Sequence, residues 1–489
     1  MNICKSRFLR TPRFLRITLL LLLLCQVMFG CSLSPKYEKI SVPGDAAKSF
    51  YGQSNAKAFS DNSWWTDFND PCLNGLIKNA LAGSPDAIAA LLNVEAYRQQ
   101  AVIASAPLFP DLSLSADATR TKVNLNTFLP FGNSFTNNAF GLSLTASYEV
   151  DLWKRLSNAQ KRARIAILSA RENQKTVYLT LVSNICDLYF RLSEQDAEVL
   201  IAKQIGGIHK KLLADAKRRY LDGAIDSSAL AAARKLRAEA LQAISGAQSL
   251  ARSFAFQINA LSGRNPTKDI VVSGFDGINS GLAPVPAGLP SSLLSRRPDV
   301  RAAEDNVRAA LLAIGIAKAA LLPSVRLTAS TGYKSSDLSD LIDHYSSVWT
   351  LAGGIAAPLF NRGAKKAAVK QAQIEAKIAV QKYISTALSA FKDVDFALSV
   401  YADIKERLVL EDEKIFAQQV QFENAKLDYL SGTGSYAAFL NNRILMERAK
   451  IAKNRLVLEL LQNRVQLMTA LGGGFWYAAA SPKTSGEKQ

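Results

Sequence analysis

The sequence predicts a mixed α and β chain built as an internal tandem duplication of one large unit. Three observations predict it: the same residues recur in the same order about 210 positions apart, two pairs of strands alternate in polarity, and two very long stretches lack proline. The recurrence begins with Ser84-Pro85-Asp86-Ala87-Ile88-Ala89-Ala90, which returns as Arg297-Pro298-Asp299-Val300-Arg301-Ala302-Ala303. Asn93-Val94 returns as Asn306-Val307, and Pro110 as Pro323. Asp151 to Arg155 answers Pro358 to Arg362, and Leu261-Ser262-Gly263 answers Leu471-Gly472-Gly473. A period this long exceeds the 20 to 50 residues of solenoid repeats, so one large unit is duplicated.

The first thirty residues read as an export signal. Lys5, Arg7, Arg10, Arg13 and Arg16 form a basic n-region without acidic residues, and Ile17 to Phe29 is an apolar h-region. Thirteen residues are too few to cross a bilayer, which needs about 20. The run ends at Gly30-Cys31, and a small residue directly before cysteine is what lipoprotein signal peptidases require. Cys31 would then carry the lipid, a palmitoyl-type anchor adding about 0.8 kcal/mol for each buried CH2. Met28 and Phe29 stand where a lipobox usually has leucine and a small residue, and ordinary cleavage beside an incidental cysteine is the alternative. Residues 31–63 follow as a tether rich in Ser, Lys, Gly and Ala.

Removing residues 1–30 lowers the net charge from +18 to +13. Such a charge raises the question of nucleic acid. The basic residues, however, are spread along helical stretches and not gathered beside stacking aromatics, so solvated helix faces explain them and no nucleic-acid partner is expected. Cys72 and Cys186 are too few for a disulfide framework, and the sequence leaves open whether they pair.

The first repeat spans residues 64–263 and starts at Trp64-Trp65. Ser84 is placed to cap a helix with Pro85 at its first position, where the missing N–H costs nothing, and Pro110 ends that helix. Strand alternation follows in Leu112 to Asp117 and Leu142 to Val150, then in the second repeat in Val325 to Lys334 and Trp349 to Ala357. Each repeat therefore has two strands of about 10 residues joined by a polar loop, near Phe131-Gly132-Asn133 in the first and Ser335 to Ser347 in the second. The pattern suits a membrane barrel with lipid outside and water inside, and a soluble sandwich would give it too. Four strands cannot close a membrane barrel, because every edge must be paired inside lipid. Such a barrel needs several chains.

Leu152 to Arg264 and Leu359 to Ser481 contain no proline. Tyr178, Leu181, Ile185, Leu188, Leu192 and Val199 recur at helical spacing, as do Ile384, Leu388, Phe391 and Leu398. Turn residues at Asp222-Gly223 and Ser431-Gly432-Thr433-Gly434 make each stretch a helical hairpin, with Gly206-Gly207 the expected kink or break in the first. Residues 264–290 are a Gly/Pro-rich linker, 291–473 the second repeat, and 474–489 a C-terminal tail.

In this order of elements behind a lipoprotein signal, the chain resembles the TolC-like outer-membrane efflux factors, and within them the OprM/NodT-type lipoproteins serving proton-driven pumps. Leu293 to Glu304, Ala313 to Ala319 and Leu322 to Ser330 carry the resemblance, with Trp64 to Phe68 and Tyr148 to Trp153. It covers essentially the whole mature chain. It implies a homotrimer in the outer membrane whose twelve strands close one composite barrel, continued by a long α-helical periplasmic barrel. The partners it implies are a periplasmic adaptor of the membrane-fusion type, an inner-membrane RND-type pump and outer-membrane lipid. Conduction would be passive, through a lipid-anchored exit duct.

Relatives close the periplasmic mouth at the hairpin tips, many with an Asp-x-x-Asp arrangement giving acidic rings. The matching stretch here reads Ala438-Phe439-Leu440-Asn441, which removes those rings and predicts weak cation selectivity. Asp222, Asp226, Tyr429, Thr433 and Asn441 are the candidates to line or latch the aperture, and each also reads as tip packing. Trp153 beside Lys154-Arg155 suits a strand leaving the bilayer. Arg297-Pro298-Asp299 reads as a helix start, with the acid near the positive helix end.

No catalytic function is expected. The two histidines, His209 on a helix surface and His344 in a loop, belong to no triad, metal-ligand spacing or phosphate loop. No cofactor is expected beyond the lipid on Cys31. A periplasmic coiled-coil adaptor or adhesin is the alternative; an adaptor would carry one hairpin and a lipoyl-like domain, and would not need strand pairs beside two hairpins.

Overall fold

The computed structural model describes residues 32–42, 63–124, 134–275 and 290–473. Cys31, the export signal, the turn near Phe131-Gly132-Asn133, most of the linker and the C-terminal tail lie outside the described residues. The principal elements in chain order are α1 (Pro71–Gly83), α2 (Pro85–Ser105), β1 (Asp111–Asn124), β2 (Ser134–Val150), α3 (Arg155–Leu221) and α4 (Ser227–Leu261). They are followed by α5 (Pro290–Arg296), α6 (Pro298–Ala319), β3 (Ser324–Ser335), β4 (Ser347–Ala356), α7 (Ala364–Ser431) and α8 (Tyr436–Ala470). The described residues divide into two compact units, one of 32–40, 95–124, 134–169 and 303–382, the other of 41–42, 63–94, 170–275, 290–302 and 383–473.

The first unit holds the sheet. Its four strands are antiparallel in the order β1-β2-β3-β4, so β1 and β4 are its edges. The strands of the first pair are longer than expected, 14 and 17 residues against 12 and 10. The extra length lies in the β1–β2 hairpin, which pairs from Asp117↔Gly141 to Asn124↔Ser134 while β3 reaches only Phe140↔Ser335. Alternation reads weakly there because Asn124, Asn137 and Asn138 interrupt the pattern. The β3–β4 connection contains short 3-10 turns at Leu338–Asp340 and His344–Ser346.

Register puts the two kinds of side chain on opposite faces. Leu114, Leu144, Thr331 and Trp349 share one row, and Leu112, Ala146, Ala329 and Leu351 the next. The other face carries Ser115, Ser143, Thr145, Arg326, Thr328 and Ser330, with the Ser115 and Ser143 hydroxyls 2.8 Å apart across the pair.

Below β2 the chain turns into α3. Lys154 adopts φ 55°, and the Asp151 carboxylate accepts from the backbone N–H of Leu156 (2.9 Å) and Ser157 (2.8 Å), capping the helix. The Trp153 indole donates to the Pro323 carbonyl at 2.7 Å, and Arg155 pairs with Glu149 at 2.7 Å. Residues 32–40 pack on this unit. Asn158 donates to the Ser34 hydroxyl (3.0 Å), Tyr37 donates to Glu304 (2.6 Å), and the Arg308 guanidinium lies over the Tyr37 ring.

In the second unit, α1 starts at Asp70, whose buried carboxylate accepts from the N–H of Cys72 and Leu73. The same carboxylate takes hydrogen bonds from the Tyr189 hydroxyl (2.6 Å) and the Ser273 hydroxyl (2.9 Å). Burial and then Asp70 push the Tyr189 pKa well up. Phe68 meets Phe190 edge-on, with centroids 4.8 Å apart. Cys72 and Cys186 are free thiols.

The two helix starts that recur in sequence are built differently. Ser84 precedes Pro85 as expected, but its buried hydroxyl makes no hydrogen bond, so its side chain is not a cap. At the matching position Arg297 binds Asp299 through two nitrogens (3.1 and 2.7 Å), Asp393 (3.2 Å) and the Ala470 carbonyl (3.2 Å). Each start is met by a glycine turn. Gly263, at φ 67°, has no room for a Cβ against the Gly83 carbonyl, and Gly472, at φ 90°, lies against Arg296 and Arg297.

The structure departs from three expectations for the long helices. α3 runs unbroken through Gly206-Gly207. A Cβ at Gly206 would meet Ile244 at 3.0 Å, and the Gly206 carbonyl accepts from Arg237 at 2.7 Å, so this glycine admits α4 closely instead of breaking α3. His209 is buried, 7 % exposed, on the face shared with Ile205 and Ile208, while Lys210 and Lys211 are exposed. Burial, then Arg448 and Arg237, lowers its pKa. The buried stripe of α7 also differs in composition: Ala387, Ala390 and Ala397 line it with Phe391 and Leu398, whereas Leu388 and Phe396 are exposed.

Glu194 of α3 is 5 % exposed, and one of its carboxylate oxygens has no hydrogen-bond partner. Burial, then Glu198, raises its pKa to about 7, although Arg455 opposes the shift. The folded protein thus holds this proton more tightly than the unfolded chain, and the carboxyl costs stability as pH rises through about 7. Glu194→Gln should melt above the wild type at pH 8, with the gap closing toward pH 4.5; a pH-independent gap in calorimetry would contradict this.

Candidate functional site

The two helical hairpin turns hold all the aperture candidates among the described residues. The α3–α4 turn places Gly223 at φ 70°. Asp226 caps α4, accepting from the Ala229 N–H at 2.8 Å, and Asp222 is exposed with its own N–H bonded to the Arg218 carbonyl. Asp226 therefore shapes the turn, a role its position before Ser227-Ser228 is consistent with.

The α7–α8 turn is more heavily bonded. Gly432 takes φ 79°, and the N–H groups of Thr433 and Gly434 both donate to the Asp428 carbonyl, at 3.0 and 2.9 Å. The Thr433 hydroxyl donates to the same carbonyl at 3.2 Å, and Ser435 caps α8 by accepting from Ala438 N–H. Gly434 leaves no room for a Cβ, which would lie 2.8 Å from the Asp428 Cβ. Thr433 is thus tied into its turn.

Above this turn the rings stack. Tyr429 lies parallel to Phe439 (centroids 5.7 Å, 4°), Phe439 stacks on Phe422 (5.7 Å), and Tyr436 sits 5.2 Å from Tyr429. Such pairs each add about 0.5–1.5 kcal/mol beyond their buried area. Tyr436 and Phe439 also pack on a core of Ile205, Ile208, Leu440 and Ile444, which joins α3 to α8. Of the stretch Ala438 to Asn441, Leu440 is buried and Phe439 half-buried, while Ala438 and Asn441 are exposed.

Two features escaped the sequence reading. Asp428 is the acceptor around which the turn folds, and Phe422, Tyr429, Tyr436 and Phe439 form one cluster. The spacings of seven from Phe422 to Tyr429 in α7 and of three from Tyr436 to Phe439 in α8 are helical-face signals that could have found the cluster. No group of three or more His, Cys, Asp or Glu placed to hold a metal occurs among the described residues. No described helix is long and apolar enough to cross a membrane.

A sequence profile of the outer membrane efflux protein family matches residues 76–264 and again 289–473. The chain belongs to this family. The pyoverdine export outer membrane protein OpmQ of Pseudomonas putida is 31% identical over 429 residues, covering 87% of this chain and 90% of the relative. The cation efflux system protein CusC of Escherichia coli K12 is 31% identical over 463 residues, covering 91% and 96%. Among solved structures, the open state of the MtrE outer membrane channel of Neisseria gonorrhoeae is similar, with a TM-score of 0.81 and 27% identity over 91% of this chain and 98% of that one. As a member of this family the chain is a TolC-like outer-membrane efflux protein. The adaptor-or-adhesin alternative falls with that membership.

Proposed function

We propose that three copies of this chain close a twelve-stranded barrel in the outer membrane, continued by a helical periplasmic tunnel through which solutes leave passively. One observation carries the reading: a four-stranded sheet with one continuous apolar face and two unpaired edges. From Phe140 to Val150 the apolar row of β2 covers ten steps, about 34 Å along the strand. At the roughly 40° tilt of membrane barrels this is about 26 Å of height, close to the apolar band of such barrels. Inside lipid the free edges of β1 and β4 must be paired, and closing three sheets on one another pairs them. The exposed Leu388 and Phe396 would be covered by neighbouring helices in the same assembly.

The repeated order of helix, strand pair and hairpin, and the two family matches, support a tandem duplication of residues 64–263 and 291–473 joined by the linker 264–290. A lipid on Cys31, exposed by removal of residues 1–30, fits the position of the tether 31–63. Ser34 lies three residues on, a reach of about 10 Å, and it packs against Asn158 just below the strands. No other bound group is called for. A periplasmic adaptor and an inner-membrane proton-driven pump would deliver the cargo.

At the mouth, Asp222 and Asn441 are the exposed lining positions in this reading, with Asp226, Tyr429 and Thr433 shaping the turns. Ala438→Asp with Asn441→Asp should raise the potassium-over-chloride permeability of the reconstituted pore at low salt. An unchanged ratio would remove positions 438 and 441 from the aperture.

The deciding experiment is multi-angle light scattering of the detergent-extracted protein, beside a Cys31→Ser variant labelled with fatty acid. A mass of three protomers and loss of label are expected. A stable monomer would overturn the duct, and undiminished labelling would overturn the anchor.

A further inference from the structure

From Ala118 to Tyr148 the chain contains only two charged residues, Arg120 and Lys122, and both are cations. They lie on the part of β1 that extends past β3, paired with Asn138 and Thr136 of β2. Side chains alternate along a strand, so both belong to the row of Leu112, Leu114, Ala116 and Ala118, the apolar face of the sheet. The flanking acids Asp117 and Glu149 belong to the opposite face. Both cations are exposed.

Their height on that face is defined by aromatic residues. Phe140, opposite Ala118, ends the apolar row of β2, and Tyr333 and Trp349 stand near the same end of β3 and β4. Such rings mark the edge of the hydrocarbon in membrane barrels. Arg120 is two residues beyond Ala118, about 7 Å along the strand, and Lys122 is about 14 Å beyond it. We propose that Arg120 and Lys122 form a docking surface for the phosphates of the outer-leaflet glycolipid. The proposal rests on the barrel reading above.

The chemistry favours this occupant. A cation just outside the hydrocarbon meets headgroups, and those of the outer leaflet of an outer membrane are phosphorylated glycolipids. Arginine offers a planar fork that binds phosphate through two nitrogens, and lysine adds a point charge. Around a threefold axis the pairs would give three such surfaces and brace the projecting β1–β2 hairpins.

The test reconstitutes the full chain into phosphatidylcholine vesicles containing either bisphosphorylated lipid A or the same lipid A stripped of phosphate. Native mass spectrometry after mild detergent extraction counts the lipid A retained. The wild type should prefer the bisphosphorylated form, and Arg120→Gln and Lys122→Gln should each reduce that preference about fivefold, the contribution of one basic residue beside an anionic lipid surface. Equal retention of both lipids, or a double variant that keeps the full preference, would overturn the proposal. Loss of the assembled mass in the double variant with lipid preference intact would instead assign the cations to the Asp337, Asp340 and Asp343 turn of a second copy. Quenching by bromine-labelled phosphatidylcholine, compared between the wild type and Trp349→Phe, reports separately on the barrel. If the emission of Trp349 is not quenched, the barrel reading fails first.

Discussion

Arg297→Ala is expected to destabilise the folded chain by about 2–4 kcal/mol, enough to remove much of a typical stability margin. The guanidinium is 12 % exposed and bridges three elements: Asp299 at the start of α6, Asp393 in α7, and the Ala470 carbonyl at the end of α8. Burial alone disfavours its charge, and the bonds to Asp299 and Asp393 more than compensate, holding its pKa up. Alanine would leave two carboxylates and a carbonyl facing a void. The effect falls short of that at a wholly buried pair because Asp299 and Asp393 keep about a third of their side-chain surface. Arg297→Lys should recover only part of the loss, since one ammonium cannot bind Asp299 through two nitrogens and still reach Asp393. Denaturant unfolding of the purified protein measures both. A loss below about 1 kcal/mol for alanine would show the network to be replaceable by water.

Gly332→Ala is expected to prevent the sheet from forming correctly, at a cost of at least about 3 kcal/mol. Gly332 pairs with Ser143 in the middle of β2–β3. A methyl there would collide with the Leu142 carbonyl oxygen and lie 2.7 Å from the Ser143 Cα, and backbone atoms in a hydrogen-bonded ladder cannot step aside. Gly141→Ala is the graded control, because the nearest atoms are the Asp117 carboxylate oxygens at 2.7 and 3.0 Å, which can swing away. Gly354→Ala, with nothing within 4 Å, should be silent. Yield of membrane-assembled protein reads the series. Normal assembly of Gly332→Ala would mean that β2 and β3 are more widely spaced at the Gly332–Ser143 pair.

The long hairpins and strand pairs were legible because each rests on a local pattern: proline-free stretches, helical or twofold periodicity, and glycine at positive φ. Gly223, Gly263 and Gly432 all take such angles at ends read from sequence. The extension of the β1–β2 hairpin was less legible, since beyond the apolar band Val123 and Phe135 form its one large apolar pair and most of its other described residues are polar.

Partner choice was not legible at all. His209 and Gly206 were misjudged for one reason: a helix shows its own periodicity but not which of its faces a second helix covers, and α4 and α8 decide that for α3. Tyr429 and Thr433 are single letters in the sequence, and only the folded turn ties one into a ring stack and the other to the Asp428 carbonyl. By itself the sequence determined the order of the elements, their amphipathic faces and the family, because these depend on neighbours within a few residues and on composition along one strand or helix. The tertiary structure alone decided the Asp70–Tyr189–Ser273 network, the bonds of Arg297 and the pairing register, because these join residues about 80 to 200 positions apart. Nothing in local propensity records which distant groups will be buried together and must satisfy one another.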